Sequence, residues 1–291
     1  MEVSDLQISL RLEITDESIA AGNAMNPALI CQCDPHGFQY AVLDQDRKKF
    51  IALRDYRIHT TREDFQPGFF QQIYEHDALL RELRPVQTVL AVYPACNVLV
   101  PGPLFSRENA VDFLKLTCSQ SPSIAFFDKL RFADVYQVYN LPGFLSGEIE
   151  EKTGEVILTN AITAFIDQQL MLHKHYDEPV VSVNVRHGFA DVIVCNGSAL
   201  LFSNTFIYNN AEDFIYFLLF SMEQLQLNPD QTEVKFYGDI ERTSAAWLVS
   251  RKYIRHADPG QRPEGSGYSY GFSKISPHQY FSLFAQQLCV S

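Results

Sequence analysis

The chain lacks the features of several functional classes. Its longest apolar run, FIYFLLF from Phe214 to Phe220, is far shorter than the stretch of about 20 residues that spans a bilayer. The first residues, MEVSDLQISLRLEITDE, are acidic and contain neither the basic start nor the apolar core of a signal peptide. We therefore predict a cytoplasmic protein with no membrane span.

A basic surface is also missing. The chain contains 23 Lys and Arg residues against 35 Asp and Glu residues, which gives a formal net charge of −12. Proteins that bind DNA or RNA neutralise backbone phosphates with clustered Lys and Arg side chains. The composition therefore argues against a nucleic acid as a partner.

Cysteine is too sparse for a disulfide scaffold, with six residues at positions 31, 33, 96, 118, 195 and 289. Cys31-Gln-Cys33 with His36 nearby is the one arrangement that invites a test for a metal site. Structural zinc usually takes four ligands from paired clusters, and the sequence contains no second pair. We therefore predict that this segment is a loop and assign no metal ligands.

A strand–turn–strand pattern occurs twice in the chain. GFQYAVLDQDRKKFIALRDYRI, from position 37, aligns with GFADVIVCNGSALLFSNTFIYN, from position 188, at an offset of 151 residues. Both segments are rich in β-branched and aromatic residues and have turn residues at the same place. An apolar strand precedes each (6–12 and 179–185), and a helix (62–83 and 210–226) and a further strand (86–94 and 232–240) follow.

The rest of the chain alternates strands and helices in the same manner. Asn210 is predicted to cap the helix 210–226, and Ser276-Pro277 to open a final helix that reaches Leu288. The pattern predicts an α/β chain of two similar domains. The first covers residues 1–177 with an insertion near 13–36, and the second covers residues 178–291.

Two copies of a three-stranded hairpin sheet followed by a helix and a strand resemble the actin-like ATPase superfamily over most of the chain. The resemblance is nearest to an uncharacterised bacterial family with this fold. It implies two ribonuclease-H-like domains related by internal duplication. It also implies an interdomain cleft for a nucleotide, with ATP and Mg²⁺ as the cofactors to be tested.

The second phosphate loop of that superfamily reads approximately V-D-I-G-G-G-T-T-D-V. Here the aligned segment is VNVRHGFADV, which starts at position 183 and keeps Gly188 and Asp191. Asn184 occupies the position of the carboxylate that holds the magnesium shell, and an amide carries no charge to offset a dication. Arg186 and His187 replace glycines that let backbone N–H groups approach the phosphates. Arg186 is either an exposed arginine at a hairpin turn, which we favour, or a direct anion contact.

Two other loops also depart from the superfamily pattern. The strand 6–12, which we align with the first phosphate loop, has Ser9 and Arg11 near the critical position, and Gly238 is the one glycine kept in the adenosine motif. No catalytic residue is assigned. If nucleotide binding is retained, the resemblance implies that its contacts are Asn184, Arg186, His187, Gly188 and Gly238.

Two functions from different classes remain open. The altered loops favour a scaffold or protein-interaction module with a degenerate nucleotide site and a protein partner. The alternative is an ATP-binding protein or weak ATPase that uses the interdomain cleft. Tyr268 and Tyr270, in a Gly/Pro/Ser-rich loop at 258–272, are candidate partner contacts. The sequence fixes neither the partner nor the oligomeric state.

Overall fold

A computed structural model describes residues 6–20, 26–62, 64–118 and 122–290 of the chain. Strands and helices alternate along most of it. The strands are β1 (Gln7–Thr15), β2 (Pro27–Asp34), β3 (Gly37–Asp44), β4 (Lys49–His59), β5 (Gln87–Val92), β6 (Asn97–Pro101), β7 (Phe126–Lys129), β8 (Val135–Tyr139), β9 (Val156–Asn160), β10 (Val180–Arg186), β11 (Phe189–Asn196), β12 (Ala199–Ile207), β13 (Glu233–Gly238), β14 (His256–Pro259) and β15 (Gly267–Tyr268). The helices are α1 (Glu17–Ala20), α2 (Phe69–His76), α3 (Ala78–Glu82), α4 (Ala110–Leu114), α5 (Phe144–Thr153), α6 (Ala161–His173), α7 (Ala211–Gln224), α8 (Ala245–Tyr253) and α9 (Phe281–Ala285).

Two large sheets share one strand order. The first runs β1-β4-β3-β2-β5-β9, with β15 beside β4, and the second runs β12-β11-β10-β13-β14. In each sheet three strands form antiparallel hairpins, and two further strands lie parallel to the first of them. A small sheet, β6-β8-β7, is inserted between β5 and β9. The predicted α/β class is therefore confirmed.

The first strand of the first sheet is not the one that we predicted. Residues 6–12 fall mainly in β1, which pairs with β4 at the outer edge of the sheet. The central strand is β2, which is buried along nearly its whole length and pairs with both β3 and β5. The prediction of an insertion near 13–36 is therefore wrong, because this segment contains the end of β1, the helix α1 and the strand β2.

The two hairpins correspond at an offset of 152 residues rather than 151. Asp34 pairs with Gly37 at the end of the first hairpin, and Arg186 pairs with Phe189 at the end of the second. Val42 and Val194 are 152 residues apart. Val42 belongs to the core cluster that contains α2, and Val194 belongs to the cluster that contains α7. Ile193 faces the opposite side of its sheet. A shift of one residue reverses the face on which every strand side chain lies, so the hairpin alignment was wrong by one position.

A layer of helices lies between the two sheets. The helix α6 is buried around its whole circumference from residue 161 to residue 170 and contacts β11, β9 and α9. The helix α9 packs against β2 and β3 of the first sheet and against β13 of the second. The C-terminal segment therefore returns to the first sheet and joins the two halves.

The starts of four helices, α3, α6, α7 and α8, are set by a capping side chain next to them in sequence. Asn210 caps α7 as predicted, and its side chain accepts the N–H of Asp213 at 2.8 Å. The final helix is an exception, because it begins at Phe281 after a residue in the left-handed region, Tyr280 at φ 59°, rather than at Ser276. Within the described residues, no helix has the length and apolar character needed to cross a bilayer.

The cysteines also differ from expectation. Cys31 and Cys33 lie on β2 rather than in a loop, and both side chains are buried in the apolar core of the first sheet. Burial raises the pKa of both thiols, so neither is suited to bind a metal as a thiolate. Cys96 and Cys118 form a disulfide that links the residue before β6 to the segment after α4.

Candidate functional site

The ends of two hairpins face each other between the halves of the molecule. The β2–β3 turn carries His36, and the β10–β11 turn carries His187. Their imidazole rings lie 6.0 Å apart between centroids and meet edge to face. Arg57 of β4 also crosses this gap, with its Nη2 atom 3.2 Å from Nε2 of His187. The two halves therefore touch at the mouth of a cleft.

A buried carboxylate organises the side of the cleft formed by the second half. Asp191 lies opposite Asn184 in the β10–β11 ladder, and its side chain is 2% exposed. It accepts hydrogen bonds from Asn184 Nδ2 at 2.9 Å and from Thr205 Oγ1 at 2.8 Å. Arg186 donates to it twice, from Nε at 2.9 Å and from Nη2 at 2.8 Å. Both oxygens of Asp191 are therefore engaged within the protein.

The side chain of Arg186 is largely covered, so the favoured interpretation of an exposed arginine is wrong. Its side chain is 12% exposed, and its guanidinium carbon lies 3.7 Å from the centroid of Tyr93 and 4.9 Å from that of Phe189. Burial by itself would lower the pKa of Arg186, but the Asp191 carboxylate raises it above its usual value. The positive charge is thus neutralised by a neighbouring side chain and covered by aromatic rings.

Tyr93, at the end of β5, ties this cluster to the rest of the molecule. Its hydroxyl accepts a hydrogen bond from Asn184 Nδ2 at 3.1 Å and donates one to Ser282 Oγ of α9 at 2.8 Å. Burial is the main cause that raises the pKa of Tyr93 above its ordinary value. The amide at position 184 therefore makes structural contacts to both halves of the protein.

Gly238 adopts the left-handed backbone conformation, with φ 81°, at the end of β13. Its N–H donates to the carbonyl of His278 at 2.9 Å, and the next N–H, of Asp239, donates to the carbonyl of Val185 at 2.8 Å. A Cβ at position 238 would collide with the carbonyl of Val185 and lie 2.8 Å from Oδ1 of Asn184. Close packing of β13 on β10 therefore requires this glycine.

The structure brings four of the five sequence-predicted contact residues to the lining of the cleft, namely Asn184, Arg186, His187 and Gly238. Gly188 lies in the hairpin turn behind them, at φ 73°, where its carbonyl accepts the N–H of Tyr208 at 3.0 Å. The alignment with the superfamily's loops thus selected residues that lie together at one cleft. It did not indicate that these side chains contact one another.

Two acidic residues of the cleft, Asp55 and Asp239, were not identified from the sequence. Arg11 of β1 lies 3.8 Å from Asp55 and 3.7 Å from Asp239, which belong to different halves. Tyr280 donates to Asp55 at 2.8 Å. Burial raises the pKa of Asp55 above its ordinary value, although Arg11 and the Tyr280 hydroxyl oppose that change. Asp55 is the one acidic residue of β4, which reads KFIALRDYRIH, and this was the available signal for the group.

The first hairpin also corrects the assignment of the first phosphate loop. The predicted loop near Ser9 and Arg11 lies on the edge strand β1. The tight turn that corresponds to the second hairpin reads Asp34-Pro35-His36-Gly37, and Oδ1 of Asp34 accepts the N–H of His36 at 2.7 Å. An acidic residue and a glycine are therefore present at the equivalent place. The segment 13–36 contains this turn rather than replacing it.

The space left between these side chains is small. The cleft has a volume of about 150 Å³, whereas pockets for small molecules commonly measure about 300–1,000 Å³. A wider groove of about 1010 Å³ adjoins it beyond Gln279 and Tyr280 and is lined by residues such as Lys235, Arg242 and Lys274. Among the residues that the structure describes, no group of three or more His, Cys, Asp or Glu side chains is arranged to hold a metal ion.

The strand order and the cleft define the fold of the actin-like ATPases. A Bacteroides thetaiotaomicron protein with an actin-like ATPase fold and unknown function is similar at 15% identity and a TM-score of 0.77, over 92% of this chain and 98% of that one. A chain of the PilM–PilN type IV pilus biogenesis complex is similar at 12% identity and a TM-score of 0.59, over 90% and 98% of the two chains. The chain belongs to the family described as proteins of unknown function (DUF3822), whose model matches residues 16–257. The comparison with curated proteins found no match.

Proposed function

We propose that this protein is an actin-fold scaffold that acts by binding other proteins, and that its own side chains hold the interdomain cleft shut. In this proposal the lobes are residues 1–177 and residues 178–291, with α9 returning to the first sheet. The shared strand order of the two sheets supports an origin by internal duplication.

The observation that carries the proposal is the buried pair of Arg186 and Asp191. A phosphate loop works through backbone N–H groups that approach the phosphates and a carboxylate that is free to hold the magnesium shell. Here the guanidinium forms two hydrogen bonds to Asp191 and lies against Tyr93. Asn184 donates to the same carboxylate and carries no charge of its own. A nucleotide would have to displace these contacts before it could bind.

Contacts between the two halves support a closed cleft. Arg11 lies between Asp55 and Asp239, and Arg57 lies against His187. Arg11 and Asp239 are both partly solvated, and an ion pair of this kind contributes roughly 0–1 kcal/mol. Together with the buried hydrogen bonds of Tyr93 they favour one relative position of the two halves. A fixed position suits a binding surface better than a catalytic cycle that opens and closes.

A protein partner is consistent with the use of this fold elsewhere. A chain of similar fold is found in the PilM–PilN type IV pilus biogenesis complex, so the fold can serve in a protein assembly. The net charge of −12 disfavours nucleic acid, as argued from composition. We therefore expect the function of this chain to depend on its surface.

Thermal unfolding with and without Mg-ATP tests the closed cleft. A ligand at about 100 times its dissociation constant adds about 2.7 kcal/mol to the free energy of unfolding, and in a domain of 150–250 residues each kcal/mol raises Tm by about 2–4 °C. We expect no shift with millimolar Mg-ATP or Mg-ADP. A nucleotide-binding protein of the same fold serves as the positive control. A magnesium-dependent rise of several degrees would refute the proposal.

The alternative of an ATP-binding protein rests on a specific observation. The turn from Asp34 to Gly37 keeps an acidic residue and a glycine, and the groove of about 1010 Å³ beside the cleft is wide enough for a nucleotide. Under this alternative the cleft would open on binding, and Asp34→Asn would weaken the Mg-ATP effect. If wild type shows no Mg-ATP effect, the alternative fails.

A further inference from the structure

A small basic surface lies on α8 and on the residues at its two ends, although the chain as a whole is acidic. Residues 242–257 read RTSAAWLVSRKYIRHA and contain no Asp or Glu. This segment carries a formal charge of +4 in a chain of −12, so the other residues together carry −16. The four cations, which we call the α8 basic surface, are Arg242, Arg251, Lys252 and Arg255.

The helix α8 presents these cations to solvent because its other face is packed. Trp247 is buried in the apolar core of the second sheet. Leu248, Arg251 and Lys252 are exposed, and their spacing of three and four residues places them on one face of the helix. The first and the last of the four cations lie just outside the helix and are also exposed.

The four cations form no ion pair within the described part of the chain. The residues in and around β4 are also rich in cations, but there Arg47, Lys49 and Arg54 each pair with an acidic side chain. Arg251 donates from Nη1 to the carbonyl of Ala257 at 3.0 Å, and a guanidinium has five N–H donors. The charge of the α8 basic surface is therefore available to a ligand.

Acidic side chains on the elements around α8 do not cancel this charge. They come from α7, which packs against α8, from the turn before β13, from β13 itself and from the two ends of the basic segment. None of them forms an ion pair with the α8 basic surface, and the one on β13 pairs with Lys235 instead. They limit the area of positive potential and hence the size of the ligand that fits it. These residues are Glu212, Asp213, Glu223, Asp230, Glu233, Glu241 and Asp258.

Helix stability explains only part of the pattern. Arg251 and Lys252 lie in the last turn of α8, where a cation interacts favourably with the helix dipole. Arg242 precedes the helix, where the same dipole disfavours a cation. Its guanidinium carbon lies 5.9 Å from the ring centroid of Trp247, near the outer limit of a cation–π contact. The fold itself therefore gives little reason for four cations at this place.

Charge and size indicate which partner fits the α8 basic surface. The helix has nine residues and is about 13 Å long, which matches about four residues of an extended peptide. Duplex nucleic acid or an anionic membrane would extend beyond this length and meet the −16 of the remaining chain. Leu248 and Tyr253, at 52% and 56% exposure, add apolar contact area beside the cations. A short acidic segment of a protein meets these conditions.

We propose that the α8 basic surface is the docking site for a short acidic segment of a partner protein, whose carboxylates pair with Arg251, Lys252 and Arg255. Guanidinium groups bind carboxylates through paired hydrogen bonds. Because these ion pairs are exposed to solvent, each contributes little, so the complex is weak and sensitive to salt. This inference rests on the proposed function and deepens it, because it names the kind of protein that the scaffold binds.

Fluorescence anisotropy of a labelled hexaglutamate peptide, titrated with the full chain at about 50 and about 300 mM salt, measures this binding. Arg251→Gln/Lys252→Gln removes two charges from the proposed surface. Arg81→Gln/Lys174→Gln is the matched control, because it removes the same charge from exposed side chains that form no ion pair in the described residues.

We expect wild type and the control to bind the peptide alike at the lower salt concentration. The surface variant should bind it about tenfold more weakly, and the higher salt concentration should weaken binding by wild type about tenfold as well. A hexaglutamine peptide, which has no charge, should not bind. The unfolding curve of each variant shows that it is folded.

Three results would overturn the inference. One is no binding of hexaglutamate by wild type up to hundreds of micromolar chain. Another is equal binding by the surface variant and the control, which would place the peptide elsewhere. The third is stronger binding of duplex DNA, phosphatidylserine vesicles or a second copy of the chain that is lost in the surface variant, which would assign the surface to that partner.

The readout is separate from that of the proposed function. A chain that shows neither a Mg-ATP shift nor peptide binding would lose only the docking site on α8. A chain that binds the peptide but also shows a Mg-ATP shift would lose only the closed cleft.

Discussion

Asn184→Asp restores the carboxylate that the superfamily has at this position, and the structure predicts that the change destabilises the fold. Asn184 is 2% exposed and donates from Nδ2 to Tyr93 and to Asp191, at 3.1 and 2.9 Å. An aspartate would place a second carboxylate about 3 Å from that of Asp191 and remove both donations. Arg186 already forms two hydrogen bonds to Asp191 and cannot serve both acids fully.

The size of the effect follows from two competing costs. Two carboxylates about 3 Å apart repel by about 5 kcal/mol at an effective dielectric constant of about 20. The introduced acid can avoid this by binding a proton, which costs about 4 kcal/mol at pH 7 for a group with an ordinary pKa of about 3.9. Protonation is the cheaper route. We therefore expect a loss of about 3–4 kcal/mol at pH 7, which shrinks towards pH 4.

The sign of the pH dependence follows from linkage. The introduced carboxyl has a higher pKa in the folded chain than in the unfolded chain, so the folded chain binds the extra proton. The free energy of unfolding of the variant, relative to wild type, therefore falls as pH rises from the unfolded pKa through the folded one.

Urea unfolding of wild type and variant at pH 7 and near pH 4 measures the effect. Asn109→Asp is the matched control, because Asn109 is exposed at the start of α4 and its side chain caps no helix N–H. This control should change the free energy of unfolding by less than about 0.5 kcal/mol. Equal stability of Asn184→Asp and wild type at pH 7 would refute the buried contact with Asp191. A magnesium-dependent gain of ATP binding in the variant would refute the closed cleft.

Three further predictions use the same unfolding assay. Arg186→Ala leaves Asp191 buried without its cation and should lower the free energy of unfolding by about 3–5 kcal/mol. Arg186→Lys should recover only part of that stability, because lysine cannot form the paired hydrogen bonds. An alanine variant as stable as wild type would contradict the pairing. Gly238→Ala should lower the free energy of unfolding by at least about 2 kcal/mol, with or without Mg-ATP, because position 238 has a left-handed backbone and lies against the Val185 carbonyl. Gly143→Ala is the control and should leave stability unchanged, because Gly143 has φ −65° and open space around its Cβ position. Equal losses in the two variants would contradict this account. Burial raises the pKa of Asp167 to about 6 from 3.8, so its contribution to stability is present at low pH and is lost as pH rises through 6. Asp167→Asn should remove a pH dependence of the free energy of unfolding of about 3 kcal/mol between pH 4 and 6. If the variant keeps the pH dependence of wild type, another group causes it.

Local sequence determined much of this fold. The strand–turn–strand segments and α7 were predicted within a few residues, because they depend on side-chain periodicity and on turn and capping residues close in sequence. Asn210, for example, caps α7 through a hydrogen bond to a residue only three positions away. The alignment of VNVRHGFADV with a phosphate loop likewise identified three residues of the cleft lining, Asn184, Arg186 and His187.

Tertiary structure decided the central strand of the first sheet. β1 and β2 both contain enough apolar residues to form a strand, but which of them pairs with β5 is not decided within either segment. The choice depends on contacts with residues 87–92, more than 50 positions away. The shift of one residue between the hairpins has the same origin, because the register is set by pairing and by the face that is buried.

Tertiary structure also decided the chemical state of the cleft. The type of residue at 184 and 186 was evident from the sequence, but whether Arg186 faces solvent, an anion or a carboxylate was not. Its partner Asp191 is on the next strand, while Tyr93 and Ser282 come from positions about 90 residues to either side. Burial and charge pairing are properties of groups brought together by the whole fold. The sequence by itself therefore determined which elements form and which loop residues differ from the superfamily pattern. Only the packing of those elements decided that Arg186 is covered by Tyr93 and that its charge is paired with Asp191.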